Sequence, residues 1–161
     1  MGIRILNEVM RVLAVDPGMK RIGLALCDEL EISVRPLPVL TARGVERDAR
    51  AIAELARAHQ VGWIVVGLPL NMDGTVGPSA RRARKLAHRL RALTGLPVTL
   101  WDERLTSVEA EMRLRERGER PTPERVDQVA ACVILQDFLT ALRSDRATIE
   151  DHGATSLEGT L

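Results

Sequence analysis

The sequence predicts an α/β domain in which a mixed five-stranded sheet is flanked by helices. Three observations carry that reading. Two short apolar runs near the start, Val9 to Val15 and Ile22 to Cys27, are separated by a turn-rich link that opens with Asp-Pro-Gly. In the middle, the segment 61–68 (VGWIVVGL) is almost wholly apolar and β-branched, the pattern of a central strand covered on both faces. Between and beyond these runs, apolar residues recur at helical spacing.

The elements follow in order. The first two runs, joined by so short a link, read as a β-hairpin. Ser33 to Leu40 adds a third strand, and Pro36 and Pro38 place it at a sheet edge because proline cannot donate to a ladder. From Val45 to Ala58, Val45, Ala49, Ile52 and Ala56 form one apolar stripe, while Arg47, Arg50, Glu54 and Arg57 face away. The central strand ends in the loop Pro69-Leu70-Asn71-Met72-Asp73-Gly74. Pro78 then opens a helix that runs to about Leu93, stopped by Gly95 and Pro97. Val98 to Trp101 reads as one more buried strand. Thr106-x-x-Glu109 is a capping box that starts a helix ending at Gly118. Thr122-Pro123 starts the last helix, with Val126, Val129, Ala130, Val133 and Leu142 apolar. Residues 10–143 therefore form the domain, 1–9 an N-terminal extension, and 144–161 an acidic tail expected to be disordered.

Composition narrows the function classes. At 161 residues the chain holds one domain with a real core. It has no apolar run long enough to span a bilayer and no signal-peptide cleavage pattern, which implies no membrane role and a cytoplasmic protein. Cys27 and Cys132 lie far apart in apolar stretches, and two cysteines without C-x-x-C spacing imply buried free thiols. The tail carries a net −3, so the body carries +4 within an overall +1, nearly all of its cations arginine. Arginine suits bidentate phosphate contacts. With only Trp63, Trp101 and Phe138, an aromatic base-stacking platform is excluded as the main recognition device.

Three carboxylates stand where chemistry can occur. Asp16 follows Val12 to Val15 and precedes Pro17-Gly18, so it emerges at the carboxyl end of a buried strand, where sites form in open α/β sheets. The alternative for Asp16 is a turn residue supporting the hairpin. Trp101-Asp102-Glu103-Arg104 follows a second strand, and its alternative is a loop of solvated charges. Asp127 borders the apolar face of the last helix, where an unpartnered carboxylate is costly; its alternative is an acid favoured by the helix dipole. Converging on one sheet end, close carboxylate pairs would repel by about 4 kcal/mol each at an effective dielectric near 20. A divalent cation removes that conflict. Hard oxygen donors with few His or Cys suit Mg²⁺ or Mn²⁺, the ions used to cleave phosphodiesters without a side-chain nucleophile.

Four stretches, VDPGMKRIGLALCD, IVVGLPLNMDGT, LWDERLTSVEA and RVDQVAACVILQDFL, resemble the YqgF family in family order over about residues 10 to 143. That family is described as RuvX or RuvC-like. The resemblance implies an RNase H-like fold, endonuclease activity, and maturation of the small-subunit ribosomal RNA precursor, with branched-DNA resolution as the older inference. By position, the family's first-strand acid falls on Asp16, the Glu of its D-E-R motif on Glu103 and its last-helix acid on Asp127. Pro17 replaces a common aromatic, Met19 a small hydroxyl residue, and Pro121-Thr122-Pro123-Glu124 a more Lys-rich stretch, changes that bear on substrate preference.

Substrate contacts are expected from basic and amide side chains. Lys20 and Arg21 lie beside Asp16, Arg104 follows Glu103, and Asn71 and Asp73 sit on the loop after the central strand. Arg81, Arg84, Lys85, His88 and Arg91 share one face of the helix opened by Pro78, with Ala83, Leu86, Ala87, Leu90 and Leu93 opposite. That basic face is either solvated or tracks phosphates. The expected partner is structured RNA, or branched DNA, bound by a monomer or weak homodimer. Two rival classes remain: an ATP-binding domain of the actin and sugar-kinase type, suggested by Asp16-x-Gly18 with Gly23, and a non-catalytic nucleic-acid-binding module.

Overall fold

The computed structural model describes residues 10–28, 33–103 and 106–152. Strands β1 (Arg11–Pro17), β2 (Arg21–Cys27), β3 (Val34–Thr41), β4 (Val61–Leu68) and β5 (Val98–Asp102) form one sheet in the order β3-β2-β1-β4-β5. β1, β2 and β3 pair antiparallel, while β4 runs parallel to both β1 and β5. The sheet is therefore mixed, and the expected hairpin is β1–β2. The proline-bearing strand β3 is an edge, as its missing donors require.

Helices α1 (Val45–Ala58) and α2 (Pro78–Thr94) cover one face of the sheet, and α4 (Pro123–His152) covers the other, with α3 (Thr106–Glu116) packed on α4. Strand alternation assigns residues to these layers. Leu13, Val15, Ile64 and Val66 join the core under α1 and α2, whereas Val12, Ala14, Trp63 and Val65 join Ile134, Leu135 and Leu139 of α4. Phe138 meets Trp63 and Trp101 edge-on at 5.5 and 5.7 Å, so the three aromatic rings are spent on this second core. Cys27 is buried there too, and Cys132 is half-buried.

Three details differ from the sequence reading. β5 is the second sheet edge, and only Val98 and Thr99 are fully buried along it. Leu93 is 38% exposed near the carboxyl end of α2 rather than packed with Leu86 and Leu90. The last helix continues past residue 144 to His152, because neither glycine nor proline interrupts the chain before Gly153. The tail and the extension otherwise lie outside the described residues.

Candidate active site

The carboxyl ends of β1, β4 and β5 lie side by side. Val15 pairs with Val66, so one step further along Asp16 falls beside Gly67. Gly67 in turn pairs with Trp101. The Glu103 amide donates to the Leu68 carbonyl at 3.2 Å, carrying the ladder past the end of β5 and bringing Glu103 level with the site. A Cβ on Gly67 would stand 2.5 Å from Glu103 Cδ and 2.6 and 2.8 Å from its two oxygens. The missing side chain at Gly67 is thus a slot, and the Glu103 carboxyl lies in it and hydrogen-bonds Asp16.

The electrostatics of this pair follow from the slot. Burial is the main cause in both groups, pushing the Asp16 carboxyl up to about 6 and Glu103 up to about 10. The bond to Glu103 holds Asp16 down against the further upward push of the Asp127 charge. The charges of Asp16 and Asp102, with the Asp16 bond, raise Glu103 further. At neutral pH Glu103 therefore keeps its proton and donates it to Asp16.

Asp127 arrives from the other side. It sits in the opening turns of α4, which press onto β2 at Gly23, the residue paired with Asp16 across the hairpin. A Cβ at Gly23 would overlap the Asp127 carbonyl and lie 3.4 Å from Asp127 Cβ. Two residues along the same strand face, Arg21 Nε donates to Asp127 Oδ2 at 2.9 Å, with side chains 34% and 23% exposed. The structure thus joins Asp16 to Glu103 directly and stations Asp127 beside them in an ion pair. Among the described residues, no three acidic, His or Cys side chains stand together as a ready metal cage. The donor set nonetheless fits a hard divalent cation: two buried carboxyls share one proton because they cannot both ionise unaided, and a third carboxylate is within electrostatic reach.

The other predicted residues fall in distinct places. Lys20 is exposed in the turn after β1, and its carbonyl accepts from the Ala42 amide at 2.9 Å. Asn71 closes its own loop, donating from Nδ2 to Thr75 Oγ1 at 2.9 Å, while Asp73 accepts from the Thr75 amide and hydroxyl. Arg81, Arg84 and Lys85 ride on α2, across the sheet from the carboxylates. Of the basic face, Arg81 donates to the Val76 carbonyl and Arg91 to the Val98 carbonyl at 3.0 Å, which makes Arg91 a brace for β5. Arg84 and Lys85 are exposed. Arg104 lies outside the described residues.

Sequence reasoning missed two supports. Gly67 had a signal: glycine inside an otherwise β-branched strand marks a close approach. The other is Asp48, buried at the start of α1, which accepts from the Arg43 amide at 2.8 Å and from Arg82 Nη2 at 3.3 Å. Arg82 also reaches the Met19 carbonyl at 3.4 Å, fastening the turn that follows Asp16. An acid in a first helical turn gives no sequence signal that distinguishes this anchor from an ordinary dipole partner.

A family-level match over residues 10–141 is to RuvX, described as Holliday junction resolvase. A protein of Anaeromyxobacter dehalogenans strain 2CP-C, named as a candidate pre-16S rRNA nuclease, is 55% identical over 132 residues, 81% of this chain and 96% of its own. A relative from Syntrophus aciditrophicus strain SB with the same name is 42% identical over 139 residues, 85% and 93% of the two chains. Among solved structures, Thermus thermophilus RuvC in complex with a Holliday junction substrate superposes with a TM-score of 0.57 at 17% identity, over 86% of this chain and 98% of that one. At that identity the likeness shows the fold, which is the RNase H-like arrangement expected from the sequence.

Proposed function

The chain belongs to the RuvX family, and from that premise we propose that it is a metal-dependent nuclease that hydrolyses phosphodiester bonds in the precursor of small-subunit ribosomal RNA. The observation that carries this reading is the hydrogen-bonded Asp16–Glu103 pair over Gly67, with Asp127 stationed alongside. Its relatives' names, shared at up to 55% identity, supply the RNA substrate. A role in ribosomal RNA processing would be carried out in the cytoplasm. Among the described residues no helix is long and apolar enough to cross a membrane.

Asp16, Glu103 and Asp127 are the residues that would hold Mg²⁺ or Mn²⁺. When bound, such an ion supplies Lewis acidity toward a phosphoryl oxygen and lowers the pKa of a water so that it can attack at neutral pH. The chain's own part is to present hard oxygens on rigid strand ends and to keep them close despite their repulsion. Glu103 would have to give up its proton for these carboxyls to hold such an ion. Lys20, exposed in the turn after Asp16, would meet a backbone phosphate, and the closed loop containing Asn71 follows the end of β4 at the same sheet end. The reaction needs no side-chain nucleophile.

Branched-DNA resolution is the second reading, favoured by the family description and by the RuvC-like fold. One experiment separates the two: purified full-length protein with Mg²⁺ or Mn²⁺ against labelled precursor RNA, single-stranded DNA and a four-way junction. Metal-dependent cutting of the RNA is the expected result. No cleavage of any substrate would leave a non-catalytic binding module, and preferential junction cutting would reverse the substrate order.

A further inference from the structure

Arg21 stands where a cation is wanted. Its Nε is the partner of Asp127 Oδ2 at 2.9 Å, a positive charge set against the acid whose own charge pushes Asp16 upward. The contact is made through one nitrogen, so the guanidinium is not locked in a two-point fork, and the side chain is 34% exposed. Among the described residues its two Nη groups have no partner. An ion pair of this kind, single-point and open to water, is weak enough to exchange. Gly23, on the same face of β2, fixes the Asp127 backbone independently, so the acid keeps its place when the guanidinium leaves.

We propose that Arg21 is an exchangeable countercharge: it holds Asp127 until a divalent cation replaces it, and then turns its guanidinium to a phosphate oxygen of the strand being cut. This rests on the metal-site reading above and adds to it a direction, because a guanidinium that reserves the place competes with the metal, whereas one that merely orients the carboxylate assists it. The two roles predict opposite signs. Removing a competitor tightens metal binding, and removing an orienting partner loosens it.

The test is a Mn²⁺ titration of the metal-free protein, followed by calorimetry and thermal unfolding, on the wild type, Arg21→Gln and Arg21→Lys. Arg21→Gln should bind Mn²⁺ more tightly, on the order of tenfold, because a unit positive charge near the ion is gone. It should also melt lower without metal and gain more on adding Mn²⁺ than the wild type does. Arg21→Lys, which restores the charge, should return toward wild-type affinity even where Arg21→Gln folds poorly. At saturating Mn²⁺, Arg21→Gln should raise KM for labelled RNA and lower the salt slope of binding by about 0.7 to 0.9, one phosphate contact. Equal or weaker Mn²⁺ affinity in Arg21→Gln than in the wild type overturns the proposal while leaving the metal site standing. A wild type that takes up no Mn²⁺ overturns both.

Discussion

Loading the site with a divalent cation must expel a proton, and this is the sharpest consequence of the Asp16–Glu103 pair. Burial raises Asp16 to about 6 against the lowering bond from Glu103, and burial with the Asp16 charge raises Glu103 to about 10, so between those values the pair holds one proton. A cation bound by both carboxyls needs both ionised. At pH 7, about three units below the Glu103 midpoint, deprotonation costs about 4 kcal/mol. Apparent metal affinity should therefore rise about tenfold per pH unit from about pH 6 toward 10, with one proton released per site loaded. Stability without metal moves in the opposite direction. Over this range the folded pair holds a proton that the unfolded chain has released above about pH 4, so stability falls as pH climbs. Calorimetry of Mn²⁺ binding at pH 7 in two buffers of different ionisation enthalpy reads the proton count directly. Buffer-independent heats, together with an affinity flat in pH, would refute the shared proton and the reasoning built on it.

Asp16→Asn, Glu103→Gln and Asp127→Asn should each abolish cleavage with the fold intact by circular dichroism, and Glu103→Gln should flatten the pH dependence of metal-free stability. Wild-type turnover at saturating metal in any of them would remove that residue from the cluster. Gly67→Ala should displace the Glu103 carboxyl and cut activity at least a hundredfold, at a stability cost of about 1 to 3 kcal/mol from overpacking, measured by denaturant unfolding. Retained activity would show that the slot is not needed. Neutralising Arg84 and Lys85 together should weaken RNA binding and lower its salt slope by about 0.7 to 0.9 per lost contact; an unchanged slope would return that face to the solvent. Sedimentation at assay concentration should show a monomer or weak dimer. The exposed large apolar side chains among the described residues, Met19, Met72, Leu93, Val108 and Met112, are spread over four elements rather than gathered into the roughly 800 Å² per partner that a stable interface buries. A stable dimer making paired, symmetric cuts in a four-way junction faster than it cuts RNA would favour resolution.

The layers of this fold are written locally, which is why they were legible. Periodicity marks α1 from Val45 to Ala58, β-branching marks β4 from Val61 to Leu68, and Pro36 and Pro38 mark an edge. The acids Asp16 and Glu103 could be picked out because strand ends are recognisable from the apolar runs that precede them. What joins them is not local. The role of Gly67 depends on parallel pairing between β1, β4 and β5, and the Arg21–Asp127 contact spans 106 positions of sequence. For Arg21 the structure adds an acid as partner, one that no spacing rule could supply. The end of α4 was missed for a different reason: polarity after Ser144 reads as a tail, yet a polar stretch without glycine or proline can simply extend a helix already nucleated upstream.

The two sets of charged residues named from the sequence lie on opposite faces of one sheet, and that separation constrains how a strand can bind. Asp16, Gly67 and Glu103 continue the face of Val12, Ala14 and Val65, which α4 covers, whereas Arg84 and Lys85 ride on α2 over the face of Val15 and Val66. A phosphate track running straight along α2 would never reach the carboxylates. Only the carboxyl end of the sheet is common to both sides, and there the turn holding Lys20 is tied to α2 by the Arg82–Met19 contact and to α1 through Asp48. A backbone that engages Arg84 and Lys85 while its scissile phosphate sits at the acids must therefore cross that end, passing Lys20. On that reading the buried acid that anchors the turn has a use: movement of the turn would shift Asp16, at the end of β1, relative to the path a bound strand would take.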